Sequence, residues 1–315
     1  MDYLFALQTI REAGPDIVNY IFLFISECAL YLGALITAII YWSVNKEDGA
    51  YIFMGYTGAF GLNQIIKNLA CIHRPWILDP RLHVDPLASS SATGYSFPSG
   101  HTTSAASFYG GFAIAQRKKT WFVCLMSLCI LLTAFSRNWL GAHTMKDVLV
   151  AIIDTCLVLC LVNILRYFVS RNPKLDTLVL IFGSAITILM LLLMIFKPYP
   201  QVVDLNEKIL VDPKKMVTDC FSSAGGLLGF FTGWWLERHF VKFETQVEKK
   251  SKILRSVIGS VIMIFWLFLG SHIFKFMGDW GYHFMKYLCV MFFLMYLYPL
   301  IFTKIYNGKK TKKAA

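Results

Sequence analysis

Residues 95–104 carry polar groups well suited to chemistry, in the order Tyr-Ser-Phe-Pro-Ser-Gly-His-Thr-Thr-Ser. Pro98 and Ser99 are typical of a helix start, so we expect Ser99 to be the N-cap. The first amides of a helix lack intrahelical partners and attract anions, and Gly100 would let a ligand approach them closely. His101 would then lie beside that anion. The alternative is a capped helix with an incidental histidine.

A second polar stretch precedes the first one and contains Lys67 and Arg74, followed by Pro75. The separation of the two cations is about two helical turns, so one helix face would present both. Pro75 would stop or kink that helix. Alternatively, Lys67 extends along the apolar surface to the interface and Arg74 is an ordinary interfacial charge.

A third stretch contains Ser136 and Arg137, and then His143 and Asp147. The histidine and the aspartate are spaced i and i+4, so on a helix they would share one face. The carboxylate would accept the proton on one imidazole nitrogen and leave the other free as a nucleophile. A purely structural pair at a helix start is the alternative.

The chain around these stretches has the composition of a membrane protein. Of its 315 residues, 57% are hydrophobic and only 16% are charged, against about 25% charged in soluble domains. A helix needs about 20 apolar residues to cross a bilayer. We predict nine spans, at residues 18–42, 51–69, 100–116, 120–137, 147–168, 175–196, 217–236, 253–276 and 282–303. The first is expected to be a retained span rather than a signal peptide.

The distribution of positive charge predicts the orientation of these spans. Most of the 30 lysines and arginines fall on one side of the membrane, and the positive-inside rule assigns that side to the cytoplasm. The net charge of +11 therefore indicates topology, with a basic tail near anionic lipid, rather than nucleic-acid binding. We expect a multi-pass protein of the cell membrane with residues 95–104 facing out of the cytoplasm.

Alternating spans bring the three polar stretches to one membrane face. The residues gathered there are Lys67, Arg74, Ser99, His101, Arg137, His143 and Asp147. Cations, a helix N-terminus and two histidines form an oxyanion site with acid–base groups, which suits phosphoryl transfer. The eight cysteines form no Cys-x-x-Cys pair, so we expect neither a disulfide framework nor a metal site, and no cofactor.

Here the sequence resembles a known family. Lys67-x6-Arg74-Pro75, Pro98-Ser99-Gly100-His101 and Ser136-Arg137-x5-His143-x3-Asp147 are similar, in order and in spacing, to the signature of the type 2 phosphatidic acid phosphatase superfamily. The resemblance covers roughly residues 60–150. The superfamily includes lipid phosphate, prenyl diphosphate and phosphatidylglycerophosphate phosphatases, glucose-6-phosphatase and vanadium haloperoxidases.

The resemblance implies a role for each motif residue. His143 would attack phosphorus and form a phosphohistidine, and Asp147 would orient it. His101 would protonate the leaving oxygen and then help water to attack. The groups that would hold the phosphoryl oxygens are Lys67, Arg74, Arg137, Ser99 and the Gly100 amide.

The resemblance also implies a six-helix core, to which this chain adds about three helices, a count resembling glucose-6-phosphatase. We expect an all-α, polytopic membrane helical bundle in a single domain over residues 1–315. Residues 1–170 would carry the catalytic motifs, and residues 171–315 the additional helices and a basic cytoplasmic tail. Gly225, Gly229 and Gly233 have the spacing of close helix packing.

Three segments outside the motifs carry further expectations. Residues 2–12 would form a short interfacial helix ended by Gly14-Pro15. The polar connection 76–97 would be a lid or a flexible tether. Ionisable groups in or near spans that could line a cavity are Glu27, Asp154, His272 and Lys275.

These observations predict a membrane phosphatase that cleaves a lipid phosphate monoester or diphosphate, with membrane lipids as its surroundings. One alternative is a phosphatase for a soluble sugar phosphate. Another is a transport or lipid-binding protein that holds a phosphate headgroup without cleaving it. The presence of His101, His143 and Asp147 favours an enzyme, because a binding protein needs cations but no nucleophile with an orienting acid.

Overall fold

A computed structural model describes residues 1–203 and 209–305, apart from the side chain of Ser271. Its helices are α1 (Asp2–Ala13), α2 (Asp16–Ile39), α3 (Lys46–Ala70), α4 (Pro75–Leu78), α5 (Pro86–Ser89), α6 (Gly100–Ala115), α7 (Thr120–Trp139), α8 (Met145–Arg171), α9 (Leu175–Phe196), α10 (Pro213–Leu236), α11 (Lys249–Ile273) and α12 (Gly278–Phe292). No β-sheet forms in the described ranges, and Val203 and Ile209 make an isolated bridge. The all-α prediction is confirmed.

Each predicted span coincides with a long helix. Six helical segments are long and apolar enough to cross a membrane: Asp16–Val44, Thr120–Trp139, Met145–Arg171, Leu175–Phe196, Lys249–Gly270 and Lys275–Ile305. The other three helices, α3, α6 and α10, are less apolar. α3 contains Asn63, Gln64 and Lys67, and α6 is rich in serine and threonine. That these three helices cross the membrane stays a prediction.

The described residues form two compact units, and the assignment of residues 1–315 to one domain stays a prediction. Unit 1 comprises Met1–Ala34, Gly58–Leu161 and Met194–Val217, and it contains every motif residue. Unit 2 comprises Leu35–Thr57, Val162–Leu193 and the chain from Thr218 onward. The basic tail at residues 309–313, and Lys208, which also entered the charge count, lie outside the described residues.

Helix α6 contacts α2, α3 and α7 within unit 1. The Ser99 side chain accepts a hydrogen bond from the Thr102 amide at 3.4 Å, which confirms the predicted N-cap. Its buried residues include Thr102, Thr103, Ser104, Ala105, Ala106 and Ser107. Because these side chains are small, neighbouring helices can approach α6 closely. The Ser107 hydroxyl donates to the Thr103 carbonyl at 2.7 Å.

Helix α1 and the connection 76–97 are tied to the motif-bearing end of unit 1. The Arg11 guanidinium donates to the Trp139 carbonyl at 2.8 Å and to the His83 carbonyl at 2.6 Å. The Asp85 amide donates to the Leu140 carbonyl at 2.9 Å. The connection is therefore anchored and carries two helical turns, α4 and α5, which favours a cover over a flexible tether.

Unit 2 is held together by close helix contacts. A Cβ atom added at Gly225 or Gly229 would lie 2.2 or 2.4 Å from a carbonyl oxygen of α12, and one at Gly233 would lie 2.8 Å from the Met295 Cβ. This confirms that the three glycines permit close packing. A π-helical turn continues α2 over Ile40–Val44, where the Trp42 indole donates to the Leu294 carbonyl at 2.9 Å.

Candidate active site

The backbone of His143 is fixed in the turn between α7 and α8. Its amide donates to the Arg137 carbonyl at 3.2 Å, and its carbonyl accepts from the Asn138 side chain at 2.9 Å. Gly141 permits the turn with φ at +70°, and a Cβ there would lie 2.7 Å from the His83 carbonyl oxygen. The histidine side chain is thereby held in the interior of unit 1, with 1% of the residue exposed.

The His143 ring is oriented by two polar groups. Its Nδ1 lies 3.5 Å from the Asp147 Oδ2 and 3.3 Å from the Ser96 Oγ. Ser96 in turn donates to the Asp147 Oδ2 at 2.6 Å, and the Thr144 amide donates to the same oxygen at 2.7 Å. A proton on Nδ1 satisfies this arrangement and leaves the lone pair on Nε2, which is the tautomer that a nucleophile needs.

The predicted pair of His143 and Asp147 is present, but the predicted common helix face is wrong. Helix α8 begins at Met145, so His143 precedes it. The pair forms because the Thr144 turn, held by the carboxylate, folds the histidine back over the first turn of α8.

The predicted common helix face for Lys67 and Arg74 is also wrong. Helix α3 ends at Ala70, and Cys71 has a left-handed φ of 49°, so the chain leaves the helix before Arg74. Arg74 then reaches the site from a loop. Its Nη1 lies 2.8 Å from the His143 Nε2 and also donates to the Ala142 carbonyl at 2.9 Å.

Lys67 fastens residues 95–104 to α3. Its Nζ donates to the Pro98 carbonyl at 2.8 Å and to the Tyr95 carbonyl at 3.4 Å. The residue is 7% exposed, so the structure holds a buried cation immediately behind the start of α6. Its role as a phosphate ligand stays a prediction.

Arg137 is wholly buried and has unused donors. Its Nη1 donates to the Ser26 hydroxyl at 3.2 Å. Its Nε and Nη2 have no hydrogen-bond partner among the described residues, although the residue is 0% exposed. Leaving a buried donor unsatisfied costs about 1–3 kcal/mol, and more for a charged group. An anion bound at these nitrogens would remove that cost.

The N-terminus of α6 lies beside the pair formed by His143 and Asp147. The Ser99 amide donates to the Asp147 carbonyl at 3.1 Å, which joins the start of α6 to the first turn of α8. A Cβ atom added at Gly100 would meet no described atom within 4 Å. Gly100 therefore leaves open space at the start of α6, and the binding of an oxyanion by the first amides of α6 stays a prediction.

His101 has a carboxylate partner of its own. Its Nε2 lies 3.1 Å from the Glu27 Oε1, and the two side chains are 11% and 21% exposed. Glu27 belongs to α2, so this pair joins two helices. The unit-1 site therefore contains two histidine–carboxylate pairs, of which the sequence motifs include only one.

The positive charges of the site favour the uncharged form of His143. Burial and the nearby Arg74 cation hold the pKa of His143 well below its ordinary value of 6.5, against the opposing effect of Asp147. Burial, together with the charge of Arg137, lowers the pKa of Arg74 to about 9. At neutral pH the arginine is therefore a cation and the histidine keeps its lone pair.

Sequence reasoning missed the supports of the motif residues. Ser96 lies within the first stretch, but nothing in its spacing indicated that it bridges His143 and Asp147. The sequence shows Glu27 as the sole charged residue of α2 after Asp16, but it does not show that Glu27 pairs with His101. His272 and Lys275, two other candidates for a cavity lining, are exposed. Within the described ranges, no cluster of three or more His, Cys, Asp or Glu residues could hold a metal ion.

Comparisons with known proteins agree with this geometry. Residues 48–173 match the model of the PAP2 superfamily, and residues 221–310 match that of the PAP2 superfamily phosphatase transmembrane extension. Undecaprenyl-diphosphatase BcrC of Bacillus subtilis (strain 168) is 33% identical over an alignment of 162 residues, and the match covers 49% of this chain and 80% of that protein. The chain belongs to the PAP2 superfamily. No solved structure matches it significantly.

The PAP2 assignment confirms the family suggested by the motifs. All eight predicted site residues, from Lys67 to Asp147, fall within the matched PAP2 region, whereas α2 with Ser26 and Glu27 precedes it. The second match covers most of the described helices α10, α11 and α12. The protein is a multi-pass membrane phosphatase, and its family and relative support a lipid phosphatase.

Proposed function

We propose that this PAP2 protein hydrolyses a lipid phosphate monoester or diphosphate through a phosphohistidine at His143. The observation that carries the proposal is the buried Arg137, whose Nε and Nη2 have no described partner. The Arg137 charge acts on both His101, the candidate acid, and His143, the oriented nucleophile.

The reaction would take place in two displacements. In the first, the His143 Nε2 attacks phosphorus, the phosphorus–oxygen bond to the leaving group breaks, and His101 gives a proton to the leaving oxygen. In the second, water attacks the phosphohistidine, passes a proton to His101, and the nitrogen–phosphorus bond breaks. Inorganic phosphate leaves, and both histidines return to their initial states.

The cations would stabilise charge on the phosphoryl oxygens. The Arg74 Nη1, which faces the His143 Nε2 at 2.8 Å, would turn to an oxygen when phosphorus takes that position. Arg137 would supply its two unused donors, and the Gly100 amide would supply a further hydrogen-bond donor. Donors preorganised in a dry site are a large source of catalysis.

Apolar surface beside the site favours a lipid over a soluble substrate. Phe24, Glu27 and Tyr31 are spaced three and four residues apart on α2, so they share one helix face. Phe24 and Tyr31 are 68% and 70% exposed. An acyl or prenyl chain could therefore lie along α2 while its headgroup reaches His101, without leaving the bilayer. The name of the 33% identical relative, an undecaprenyl-diphosphatase, supports the same substrate class.

A substrate panel tests this proposal. Purified protein in mixed micelles should release inorganic phosphate from phosphatidate or a prenyl diphosphate, with a kcat/KM well above that for glucose 6-phosphate. Excess glucose 6-phosphate should not compete with the lipid. Turnover of the sugar phosphate alone would refute the lipid assignment, and binding of lipid phosphate without any turnover would identify a binding protein.

We also propose that the site faces out of the cytoplasm, as the distribution of lysine and arginine suggests. Single cysteines at Ser90 and Lys249, both exposed, would test this in a background lacking the native cysteines. An impermeant thiol reagent applied to intact cells should label Ser90→Cys and leave Lys249→Cys unlabelled. The reverse pattern would place the site in the cytoplasm.

A further inference from the structure

Glu27 is an unusual residue for its position. It is the sole charged residue of α2 after Asp16, in a helix that is otherwise suited to crossing a membrane. Carboxylates within apolar spans are expensive and commonly serve function. Its Oε1 lies 3.1 Å from the Nε2 of His101, the residue in the first turn of α6.

The neighbouring residue on α2 contacts the site as well. Ser26 accepts a hydrogen bond from Arg137 at 3.2 Å, and it lies next to Glu27 in the chain. Two consecutive residues of α2 thus hold two different motif side chains. Because α2 precedes the matched PAP2 region, these contacts are not assigned by the family motifs.

We propose that Glu27 is a positioning residue for His101, which it holds in the tautomer and charge state needed to protonate the leaving group. The inference rests on the proposed function. With the Nε2 proton donated to Glu27, the Nδ1 of His101 becomes the nitrogen that exchanges protons with the substrate. Asp147 orients His143 in the same way, but it pairs with Nδ1 and leaves Nε2 for the substrate.

The negative charge of Glu27 also affects the protonation of His101. The charged groups that act on His101 are Arg74 from the loop before α4, Arg137 from α7 and Glu27 from α2. The two arginines disfavour a third positive charge, whereas an acid catalyst must carry one before it can give a proton. The Glu27 carboxylate offsets the arginines and keeps the protonated form of His101 accessible.

The proton balance of the step is simple. Protonated His101 transfers the Nδ1 proton to the oxygen of the breaking phosphorus–oxygen bond, which leaves as an alcohol or a protonated phosphate. His101 is then neutral and still donates Nε2–H to Glu27. Attacking water returns a proton to Nδ1, and Glu27 ends the cycle unchanged.

A merely structural ion pair makes a different prediction about leaving groups. An alkoxide is a strong base and needs a proton as it leaves, whereas a thiolate is a much weaker base. An alkyl phosphate and the S-alkyl phosphorothiolate with the same tail therefore differ in their need for an acid. Loss of general acid catalysis should harm the oxygen ester selectively.

The experiment compares kcat/KM of the wild type and of Glu27→Gln on these two substrates in mixed micelles. We expect a loss of about 100-fold on the oxygen ester, within the range of general acid catalysis, and a loss at least about ten times smaller on the sulfur ester. Equal losses on both esters, or no loss on either, would overturn the inference. A wild type inactive on both esters would overturn the inference, and one inactive on a prenyl diphosphate as well would overturn the proposed function.

Two further variants and a pH profile complete the test. Glu27→Asp keeps the charge and should recover part of the lost activity, while Asp16→Asn removes an exposed carboxylate from the same helix and should behave as the wild type. In Glu27→Gln the basic limb of kcat/KM against pH should move to lower pH by about 1 unit or more, because His101 loses its proton sooner. An unmoved limb would contradict the charge argument.

Discussion

Two arginines, a wholly buried one in unit 1 and a partly buried one in unit 2, are surrounded in opposite ways. In unit 2, Arg238 pairs with the Asp176 Oδ2 at 2.7 Å and with the Glu47 Oε1 at 3.0 Å. In unit 1, Arg137 has a serine hydroxyl as a partner and two buried nitrogens without one among the described residues. The unit-2 arginine is satisfied by the protein itself, and the unit-1 arginine is not.

This difference distinguishes a structural charge from a binding charge. Arg238 belongs to an ionic network in which Lys46 also pairs with Glu237, at 3.1 Å. The Nε and Nη1 donors of Arg238 are occupied by carboxylates of the protein, so they are not open to a ligand. The unpaired donors of the buried Arg137 cost stability, but they remain available to an anion. Sites that stabilise developing charge commonly have such donors.

If unit 1 carries the chemistry, the largest loss of activity should come from replacing its nucleophile. His143→Ala removes the nucleophile and should lower kcat by about 10⁴-fold or more, with the protein still folded. The matched control is His239→Ala, which removes an exposed histidine of unit 2 and should keep full activity. Near-normal turnover by His143→Ala would contradict the covalent mechanism.

Substituting the two arginines tests the comparison itself. Arg137→Leu should lower kcat/KM by about 10²- to 10³-fold, as loss of an oxyanion donor does, and leave thermal stability in detergent unchanged or raised. Arg238→Leu strands the buried Asp176 and should lower stability by about 3–5 kcal/mol, with KM unchanged at permissive temperature.

Activity assays and thermal unfolding of both arginine variants in the same detergent provide the measurement. A large loss of stability in Arg137→Leu, together with a KM defect in Arg238→Leu, would reverse the assignment of the two arginines.

Variants of the two residues that orient the His143 ring should have smaller effects on kcat. Asp147→Asn should lower kcat on the order of 10²-fold, since the amide cannot stabilise the charged ring as the carboxylate does. Ser96→Ala should lower it by about tenfold, the equivalent of one net hydrogen bond. Steady-state kinetics of both variants and of the double variant would test this. Losses that multiply independently would show that Ser96 does not act through Asp147.

The smallest expected effect concerns metals. Because the described residues contain no suitable cluster of ligands, we expect full activity in excess chelator. Vanadate should inhibit, since it mimics the five-coordinate transition state that Arg137 and the α6 N-terminus would bind. Loss of activity in chelator that magnesium restores would refute metal independence.

The sequence predicted the helices of the fold well, because long apolar runs between polar connections leave few other structures for a membrane chain. It also identified Ser99 as an N-cap, since the cap depends on neighbouring residues alone. It misplaced Arg74 on a helix, because nothing local showed that Cys71 would adopt a left-handed conformation. It did not find the Glu27–His101 pair, because contacts between distant helices depend on packing that no spacing records.

In the proposed mechanism His143 becomes phosphorylated during turnover, and this intermediate can be trapped. Protein mixed rapidly with ³²P-labelled lipid phosphate and quenched in alkali should carry label on the peptide containing His143. The label should be stable in base, labile in acid and absent from His143→Ala. Turnover without a labelled intermediate, or label that persists in His143→Ala, would contradict the account.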